Sequence, residues 1–139
     1  MTKSISRVLV TGASGGIGRA IARNMAARGA QVAVHYNSDR AGAEETQHGL
    51  QGTGHRIVAG DLADESSIQS FWERVAKDFG EIDALVNNAG VYGEHSPLTV
   101  DFARWRKAVE HTMYVNFFGT AHLSFLAARD MSKQGGAAS

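Results

Sequence analysis

Four short apolar runs alternate along the chain with longer segments in which apolar residues recur at helical spacing. Each run has five or six residues and ends near a glycine or a polar side chain, a pattern that predicts a buried strand. The predicted strands span residues 7–11, 31–36, 55–59 and 82–86. The segments between them predict helices that pack against a sheet.

The helical segments are marked by apolar faces, capping residues and closing glycines. Ser38 or Asp39 is suited to cap the second helix, and Gly29 and Gly80 close the first and third. The predicted helices span 17–28, about 40–50, the residues after 64 up to 79, and about 101–131, the last with room for one break. The predicted packing faces are Ile17, Ile21 and Met25 in the first helix, and Ile68, Phe71, Trp72, Val75 and Phe79 in the third.

The order of these elements predicts an α/β fold with a doubly wound parallel sheet. Strands that alternate with helices through short connections need right-handed crossovers, which place helices on both faces of the sheet. The glycines at 135 and 136 predict a turn into a fifth strand, so the fold is expected to be truncated after its fourth helix. The fourth strand would then form an open edge, or a second chain would complete the sheet.

Composition limits the partners of this single expected domain, residues 1–139. The 14 Lys and Arg residues balance 14 Asp and Glu residues, so neither nucleic acid nor an anionic membrane is an expected partner. No apolar stretch approaches the roughly 18 residues of a membrane span. The chain has no cysteine, which fits a cytoplasmic location. Its six histidines lack metal-ligand spacing and are expected at the surface, so no metal site is predicted.

A glycine-rich turn, TGASGGIG at 11–18, lies between the first predicted strand and the first predicted helix. The amino end of a helix presents N–H groups and a partial positive charge, so this position favours a dinucleotide pyrophosphate. Gly12 allows a sharp exit from the strand, Gly16 a close approach to the phosphates, and Gly18 tight packing of the helix. With its flanking strand and helix, the turn predicts a Rossmann-type nucleotide-binding fold.

Three further motifs occur in a fixed order after the glycine turn. They are Asp61-Leu62, Asn87-Asn88-Ala89-Gly90 and the segment YVNFFG at 114–119. Together with the turn spacing T-G-x-x-x-G-x-G, they resemble the motifs of the short-chain dehydrogenase/reductase family. The overall likeness is to 3-oxoacyl-[acyl-carrier-protein] reductases, and to the amino-terminal half of such proteins.

The resemblance implies hydride transfer between NAD(P)(H) and a small alcohol or carbonyl substrate. It also implies that Asp61 accepts a hydrogen bond from the adenine amino group, with Leu62 beside it. The residues that it places around the pyrophosphate are Gly12, Ser14, Gly16, Ile17 and Gly18. Those that it places along the adenosine ribose and the floor of the site are Asn88, Ala89 and Gly90.

Asn116 is the one catalytic residue that the resemblance assigns to this sequence. In the family the matching asparagine holds a helix kink and a water beside the catalytic lysine. Asn116 also fits a simpler role, that of a helix asparagine bonded to a backbone carbonyl. The serine and the Tyr-x-x-x-Lys pair of the family have no counterpart in these 139 residues. No proton donor is therefore assigned, and these residues alone are expected to be inactive in carbonyl reduction.

The end of the second predicted strand favours NADP over NAD. An acidic residue at this place bonds both ribose hydroxyls of NAD, and this chain has Tyr36 there. Asn37, Ser38 and Arg40 are able to bond a 2′-phosphate, whereas Asp39 is expected to cap a helix.

Two classes of function remain open at this point. The first is an NADP(H)-dependent reductase, for which a 3-oxoacyl, sugar, steroid or quinone-type ketone fits equally well. The second is a catalytically incomplete NADP(H)-binding fragment that acts as a sensor or as half of a two-chain assembly. The family resemblance also implies a homodimer or homotetramer. Two roles are open for the residues after the NNAG motif, contact with the substrate or an ordinary place in a loop. These residues are Tyr92, Glu94 and His95.

Overall fold

A four-stranded parallel sheet forms the centre of the molecule. The computed structural model describes residues 4–93 and 95–135. The strands are β1 (Arg7–Val10), β2 (Gln31–Tyr36), β3 (Arg56–Ala59) and β4 (Ala84–Val86), in the spatial order β3-β2-β1-β4. In the register, Val10 lies opposite Val34 of β2 and Val86 of β4. This arrangement confirms the predicted Rossmann-type α/β fold.

Helices cover both faces of the sheet. They are α1 (Gly16–Ala27), α2 (Arg40–His48), α3 (Ile68–Phe79), α4 (Phe102–Met113) and α5 (Thr120–Gln134). Helices α1 and α2 pack on one face, and α3 and α5 pack on the other. Side chains alternate along a strand, so Val8 and Val10 join the first core and Leu9 joins the second. The central strand therefore connects both helical layers.

Helix α3 packs as its sequence predicts. All five predicted apolar residues are buried: Ile68, Phe71, Trp72, Val75 and Phe79. Trp72 also donates its Nε1–H to Asp130 Oδ2 at 2.8 Å, which joins α3 to α5. The indole hydrogen bond keeps the pKa of the Asp130 carboxyl below its ordinary value.

The predicted packing face of α1 is wrong at one position. Ile17 is 74% exposed, whereas Ile21 and Met25 are partly buried against the core. The fully buried positions of the helix are Gly18, Ala22 and Ala26. Small residues on this face allow α1 to lie close to the sheet, which turns the face by about one residue from the predicted one.

Element ends differ slightly from the predicted ranges. Strand β1 ends at Val10, β3 begins at Arg56 and β4 begins at Ala84, so each is shorter than its apolar run. Ile82 is nevertheless 2% exposed, because its side chain joins the second core from the connection before β4. An apolar run thus marks burial more closely than it marks strand pairing.

The last helical pattern is broken once. Tyr114–Gly119 forms a π-helical segment between α4 and α5. Asp101 caps α4 by accepting from Arg104 N–H at 2.8 Å. Within the described residues α4 buries none of its side chains, and Phe102 is 74% exposed. The described part of α4 therefore lies on the surface and does not contribute to either core.

Strand β4 forms one edge of the sheet. Over residues 4–93 and 95–135 it pairs with β1 alone, as expected for an open edge. The predicted turn beyond Gly135 and the candidate contact Glu94 lie outside the described residues.

Replacing Trp72 with Phe is expected to lower the free energy of unfolding by about 2 kcal/mol, because the variant loses a hydrogen bond to a carboxylate. Urea unfolding followed by circular dichroism measures the change. Asp130→Asn keeps an oxygen acceptor and serves as the control, with an expected loss of about 1 kcal/mol or less. No loss in Trp72→Phe would show that this bond adds nothing to stability.

Candidate functional site

The carboxyl ends of the four strands border a cleft of about 180 Å³. Open α/β sheets bind ligands at this end, beside the point where the strand order reverses, here between β1 and β4. The turns after all four strands contribute to the lining, and so does the region where α4 passes into the π-helical segment. The lining residues are Gly12, Ser14, His35, Tyr36, Asn37, Ser38, Asp39, Asp61, Leu62, Ala89, Gly90, Val91, His111 and Val115.

The glycine turn after β1 requires glycine at two positions for packing. Gly12 has φ +62°, and a Cβ there would lie 2.8 Å from Ala89 Cα. A Cβ on Gly18 would lie 2.2 Å from Gly12 O, so α1 begins directly against the turn. Gly16 differs, because its φ is +54° and a Cβ there would meet open space. The turn thus keeps its backbone accessible at Gly16 while it is closely packed at Gly12 and Gly18.

Thr11 and Asn88 join the glycine turn to the turn after β4. The Thr11 hydroxyl oxygen accepts from Asn88 N–H at 3.0 Å and from Ala89 N–H at 2.9 Å. In return, the Asn88 amide Nδ2 donates to Thr11 O and Gly12 O, both at 3.0 Å. Thr11 is only 1% exposed, so these bonds replace water at buried backbone groups. These four hydrogen bonds therefore fix the glycine turn and the turn after β4 relative to each other.

Arg19 connects the glycine turn to α2. Its Nη2 donates to Ser14 O at 2.8 Å and to Gly42 O at 3.2 Å, and its Nη1 pairs with Glu45 at 3.0 Å. Asp39 caps α2, as predicted, by accepting from Gly42 N–H at 2.9 Å. The Asp39 carboxylate is thereby engaged at the rim of the cleft.

His35 is a buried histidine inside the site. It is 2% exposed, its Nδ1 accepts from Gly12 N–H at 3.0 Å, and its Nε2 lies 2.8 Å from Gly60 O. Burial lowers the pKa of His35, with smaller opposing contributions from the Gly60 carbonyl and the Asp61 charge. The expectation that the histidines are surface residues is wrong here and at His55, which is 7% exposed.

Asp61 lines the cleft, whereas Asn116 lies outside the lining and bonds the lining residue Val91. Asp61 is exposed and accepts from Ala63 N–H at 2.9 Å, which fixes its carboxylate in a local turn. Asn116 lies in the π-helical segment, where its Oδ1 accepts from Val91 N–H at 2.7 Å and its Nδ2 donates to Val91 O at 2.9 Å. The simpler role for Asn116, bonding to backbone, is thus present in the structure.

The structure brings most of the predicted nucleotide-binding residues to one place. Those that line the cleft are Gly12, Ser14, Tyr36, Asn37, Ser38, Asp61, Leu62, Ala89 and Gly90. Those outside the lining are Gly16, Ile17, Gly18, Asn88 and Asn116, of which Gly18 and Asn88 support it from behind. Four lining residues were not predicted: His35, Val91, His111 and Val115. Three of them directly adjoin predicted site residues, since His35 precedes Tyr36, Val91 follows Gly90 and Val115 precedes Asn116. His111 carried no signal in the sequence.

No group of three or more His, Asp or Glu side chains in the described part of the chain is arranged to hold a metal ion. None of the helices found between residues 4 and 135, Glu94 aside, combines the length and the apolar character that crossing a membrane requires.

Comparison with known proteins decides the family. The sequence model described as short chain dehydrogenase matches residues 6–138. This chain belongs to the short-chain dehydrogenase family. Membership confirms the resemblance read from the glycine turn, Asp61-Leu62, the NNAG motif and the segment at 114–119.

Individual members of the short-chain dehydrogenase family show how much of a whole protein the chain represents. It is 38% identical to a cis-4-hydroxycyclohexanecarboxylate dehydrogenase of Sinomonas cyclohexanicum, over 94% of this chain and 51% of that protein. It is 37% identical to a 3-oxoacyl-[acyl-carrier-protein] reductase of Escherichia coli K12, over 91% of this chain and 49% of that protein. The chain thus spans about half the length of the curated relatives it matches.

A solved structure also matches most of this chain and about half of its own length. A short chain dehydrogenase from Burkholderia cenocepacia J2315, crystallised in complex with NADP, superposes with a TM-score of 0.77 at 37% sequence identity. The match covers 91% of this chain and 51% of that one. The similarity therefore covers the sheet and cleft described above and about half of the larger molecule.

Replacing Thr11 with Val is expected to lower the free energy of unfolding by about 2 kcal/mol, because Ala89 N–H loses its acceptor while side-chain volume is kept. Asn88 N–H also loses its bond to the hydroxyl but keeps Val86 O as an acceptor at 3.1 Å. Thr11→Ser retains the hydroxyl and is expected to cost less, about 1 kcal/mol for the lost methyl group. Guanidinium unfolding of both variants measures the difference. A larger loss in Thr11→Ser than in Thr11→Val would contradict the assigned role of the hydroxyl.

Stability is expected to fall as the pH drops below 6.5, the ordinary pKa of a histidine. Because burial lowers the pKa of His35 in the folded protein, only the unfolded chain binds this proton just below pH 6.5. Protonation therefore favours unfolding from pH 6.5 down to the lowered pKa, and the effect is absent at neutral pH. Asp64 and Asp130 also have lowered pKa values in the folded protein. Their protonation changes stability only around or below pH 3.8, the ordinary pKa of an aspartate, which is outside this window.

Thermal unfolding between about pH 7.5 and about pH 5 measures this dependence. The His35→Asn variant lacks the titrating ring and is expected to lose less stability over the same range. Parallel curves for the wild-type chain and the variant would show that His35 does not titrate in the window.

Proposed function

We propose that this chain forms the nucleotide-binding part of an NADP(H)-dependent oxidoreductase that acts on an alcohol or carbonyl substrate. The observation that carries the proposal is the meeting of three motifs at one cleft: the glycine turn, Asp61-Leu62 and the NNAG turn. Their position at the carboxyl edge of a parallel sheet, beside the order reversal, is where such folds bind nucleotides.

The glycine turn fits a pyrophosphate. A Cβ on Gly16 would project into open space, so the backbone there is free to approach a ligand, and α1 directs its amino end toward the same region. Gly12, Ser14, Gly16, Ile17 and Gly18 are proposed to surround the phosphates. Ile17 exposes a large apolar side chain to solvent beside the glycine turn. An exposed apolar side chain at this place supports contact with a ligand.

The remaining segments fit an adenosine. Asp61 presents an exposed carboxylate at the rim and is proposed to accept from the adenine amino group, with buried Leu62 beside it. The adenosine ribose is proposed to lie along Asn88, Ala89 and Gly90. Asn88 acts there mainly through its two bonds to the glycine turn, which hold the floor of the cleft in place.

NADP is proposed as the cofactor in preference to NAD. The buried Tyr36 stands where an acidic residue would bond the ribose hydroxyls, and Asn37 and Ser38 follow it along the cleft. Asp39, the next carboxylate along the chain after Tyr36, is engaged in capping α2. Arg40 follows Asp39 and pairs with Glu44 at 2.8 Å. Arg40 is proposed to contact the 2′-phosphate, for which a guanidinium is a strong donor.

NADPH supplies a hydride to a carbonyl carbon when it is bound. This chain binds and orients the nucleotide, and Asn116 is proposed to hold the Val91 backbone at the cleft entrance through its two hydrogen bonds. A proton donor of the Tyr-x-x-x-Lys type does not occur in the 139 residues. Reductase activity is accordingly proposed for a whole protein about twice this length, and binding without turnover for the 139 residues, as in the sensor or two-chain alternative.

Substrate class and assembly are proposed on the same basis. A ketone or secondary alcohol is proposed, with a 3-oxoacyl, sugar, steroid or quinone-type ketone fitting equally well. A homo-oligomer is proposed because Phe117, Phe118 and Phe125 are 57%, 40% and 61% exposed, which argues against a core role for them. The cytoplasmic location and the single domain spanning 1–139 stay predictions.

Titration with NADPH, followed by its fluorescence, tests the proposal. The wild-type chain is expected to bind NADPH at least about tenfold more tightly than NADH, since a charge-assisted contact to the 2′-phosphate contributes about 1.5–3 kcal/mol. Gly16→Ala is expected to abolish or strongly weaken binding, because its methyl group occupies the approach to the phosphates. Absence of binding by the wild-type chain would refute nucleotide binding by these residues.

Gly29→Ala is the matched control for Gly16→Ala. Gly29 also has a positive φ, +92°, and a Cβ there also meets nothing within 4 Å, but it lies at the far end of α1. Both variants thus place a side chain at positive φ without a steric clash, and only Gly16→Ala is expected to change the affinity. Equal affinities in both would place the nucleotide away from the glycine turn. Turnover of a ketone panel by the 139 residues would contradict binding without turnover.

A further inference from the structure

One imidazole contacts two of the segments that border the cleft. His35 Nδ1 accepts from Gly12 N–H, and His35 Nε2 lies within hydrogen-bond distance of Gly60 O, which directly precedes Asp61. We infer that His35 is a positioning residue for the dinucleotide, whose ring sets the separation between the pyrophosphate turn and the adenine segment. The inference rests on the nucleotide binding proposed above.

The two partners determine the protonation of the ring. A backbone N–H only donates, so His35 Nδ1 must carry no hydrogen where it faces Gly12. A carbonyl only accepts, so His35 Nε2 must carry the hydrogen that it donates to Gly60 O. The ring is therefore neutral and in one tautomer, and a proton on Nδ1 would set two donors against each other.

Packing holds the ring in this orientation. Phe71 of α3 meets the imidazole edge-to-face, with 5.5 Å between ring centroids and 77° between planes. Phe71 also lies so close to Gly60 that a Cβ there would be 2.5 Å from its ring. The histidine is thus fixed between the glycine turn, the end of β3 and α3, with 2% of its surface exposed.

The glycine turn is held from its opposite side by a different residue. Asn88 donates to Gly12 O, while His35 accepts from Gly12 N–H. The two bonds on one residue fix the peptide planes on both sides of Gly12, at its φ of +62°. The turn also bonds β2 through the backbone, because Ala13 N–H donates to His35 O at 2.9 Å. Loss of the imidazole bond would leave that bond in place, but it would remove the acceptor of Gly12 N–H and the link from Gly12 to the residue before Asp61.

Two substitutions separate the two hydrogen bonds. His35→Asn places an amide oxygen near the position of Nδ1, so it is able to accept from Gly12 but does not reach Gly60. His35→Gln places an amide nitrogen near the position of Nε2, so it is able to donate to Gly60 and leaves Gly12 N–H without its acceptor. The inference predicts that the NADPH dissociation constant rises about tenfold in His35→Gln and less than about threefold in His35→Asn.

His55 supplies the matched control. Its Nδ1 accepts from Val32 N–H at 3.1 Å and its Nε2 lies 2.8 Å from Gln51 O, the same pair of bonds at the opposite, amino end of the sheet. His55→Gln and His55→Asn are expected to lower the melting temperature as the His35 variants do, with NADPH affinity unchanged. Equal loss of affinity in His35→Gln and His55→Gln would overturn the inference, because general destabilisation would then account for both.

Amide hydrogen exchange tests the positioning without any nucleotide. The Gly12 amide is expected to stay protected in the wild-type chain and in His35→Asn, and to exchange at least about tenfold faster in His35→Gln. Unchanged exchange in His35→Gln would overturn the inference. Protected exchange together with no NADPH binding by the wild-type chain would refute the proposed function, while the role of the ring in holding the turn would stand.

Discussion

The approach of Gly12 to Ala89 is the contact on which the cleft depends. No side chain fits between the two turns, and a Cβ on Gly18 would meet the same Gly12 carbonyl. The turns after β1 and β4 therefore lie in van der Waals contact. Hydrogen bonds made by the Thr11 hydroxyl and the Asn88 amide satisfy the polar backbone groups between them. The start of α1 and the floor of the cleft follow from this single spacing.

Local signals predicted the parts of the molecule that local forces determine. The apolar spacing of α3 matches its buried face because one side of a helix alone enters the core. The predicted Asp39 cap is equally local, since its side chain bonds a backbone N–H three residues on. The motifs at strand ends met at one cleft because carboxyl ends of parallel strands share one edge.

The errors arise where distant segments decide. The spacing of Ile17 predicts a core residue. Gly18 instead packs directly against the glycine turn, which directs the neighbouring Ile17 side chain toward solvent. His35 reads as a surface histidine, and only the distant Gly12 and Gly60 show why an imidazole is tolerated inside. Arg19 had no sequence signal, because its partners at Ser14, Gly42 and Glu45 come together only when α2 packs beside α1.

The π-helical segment determines the rotation of α4 relative to α5 about their shared axis. Of the two helices, only α5 has side chains buried in the core. A π turn holds more residues than an α turn, so Tyr114–Gly119 shifts the angular position of everything that follows it. Without one of these residues, α5 would turn by about 100° relative to α4. Helix α5 is anchored in the core, whereas α4 buries none of its described side chains, so α4 is the helix that would rotate. Length changes within the segment would also displace Val115 and Gly119, which are buried, and Asn116, which bonds the Val91 backbone.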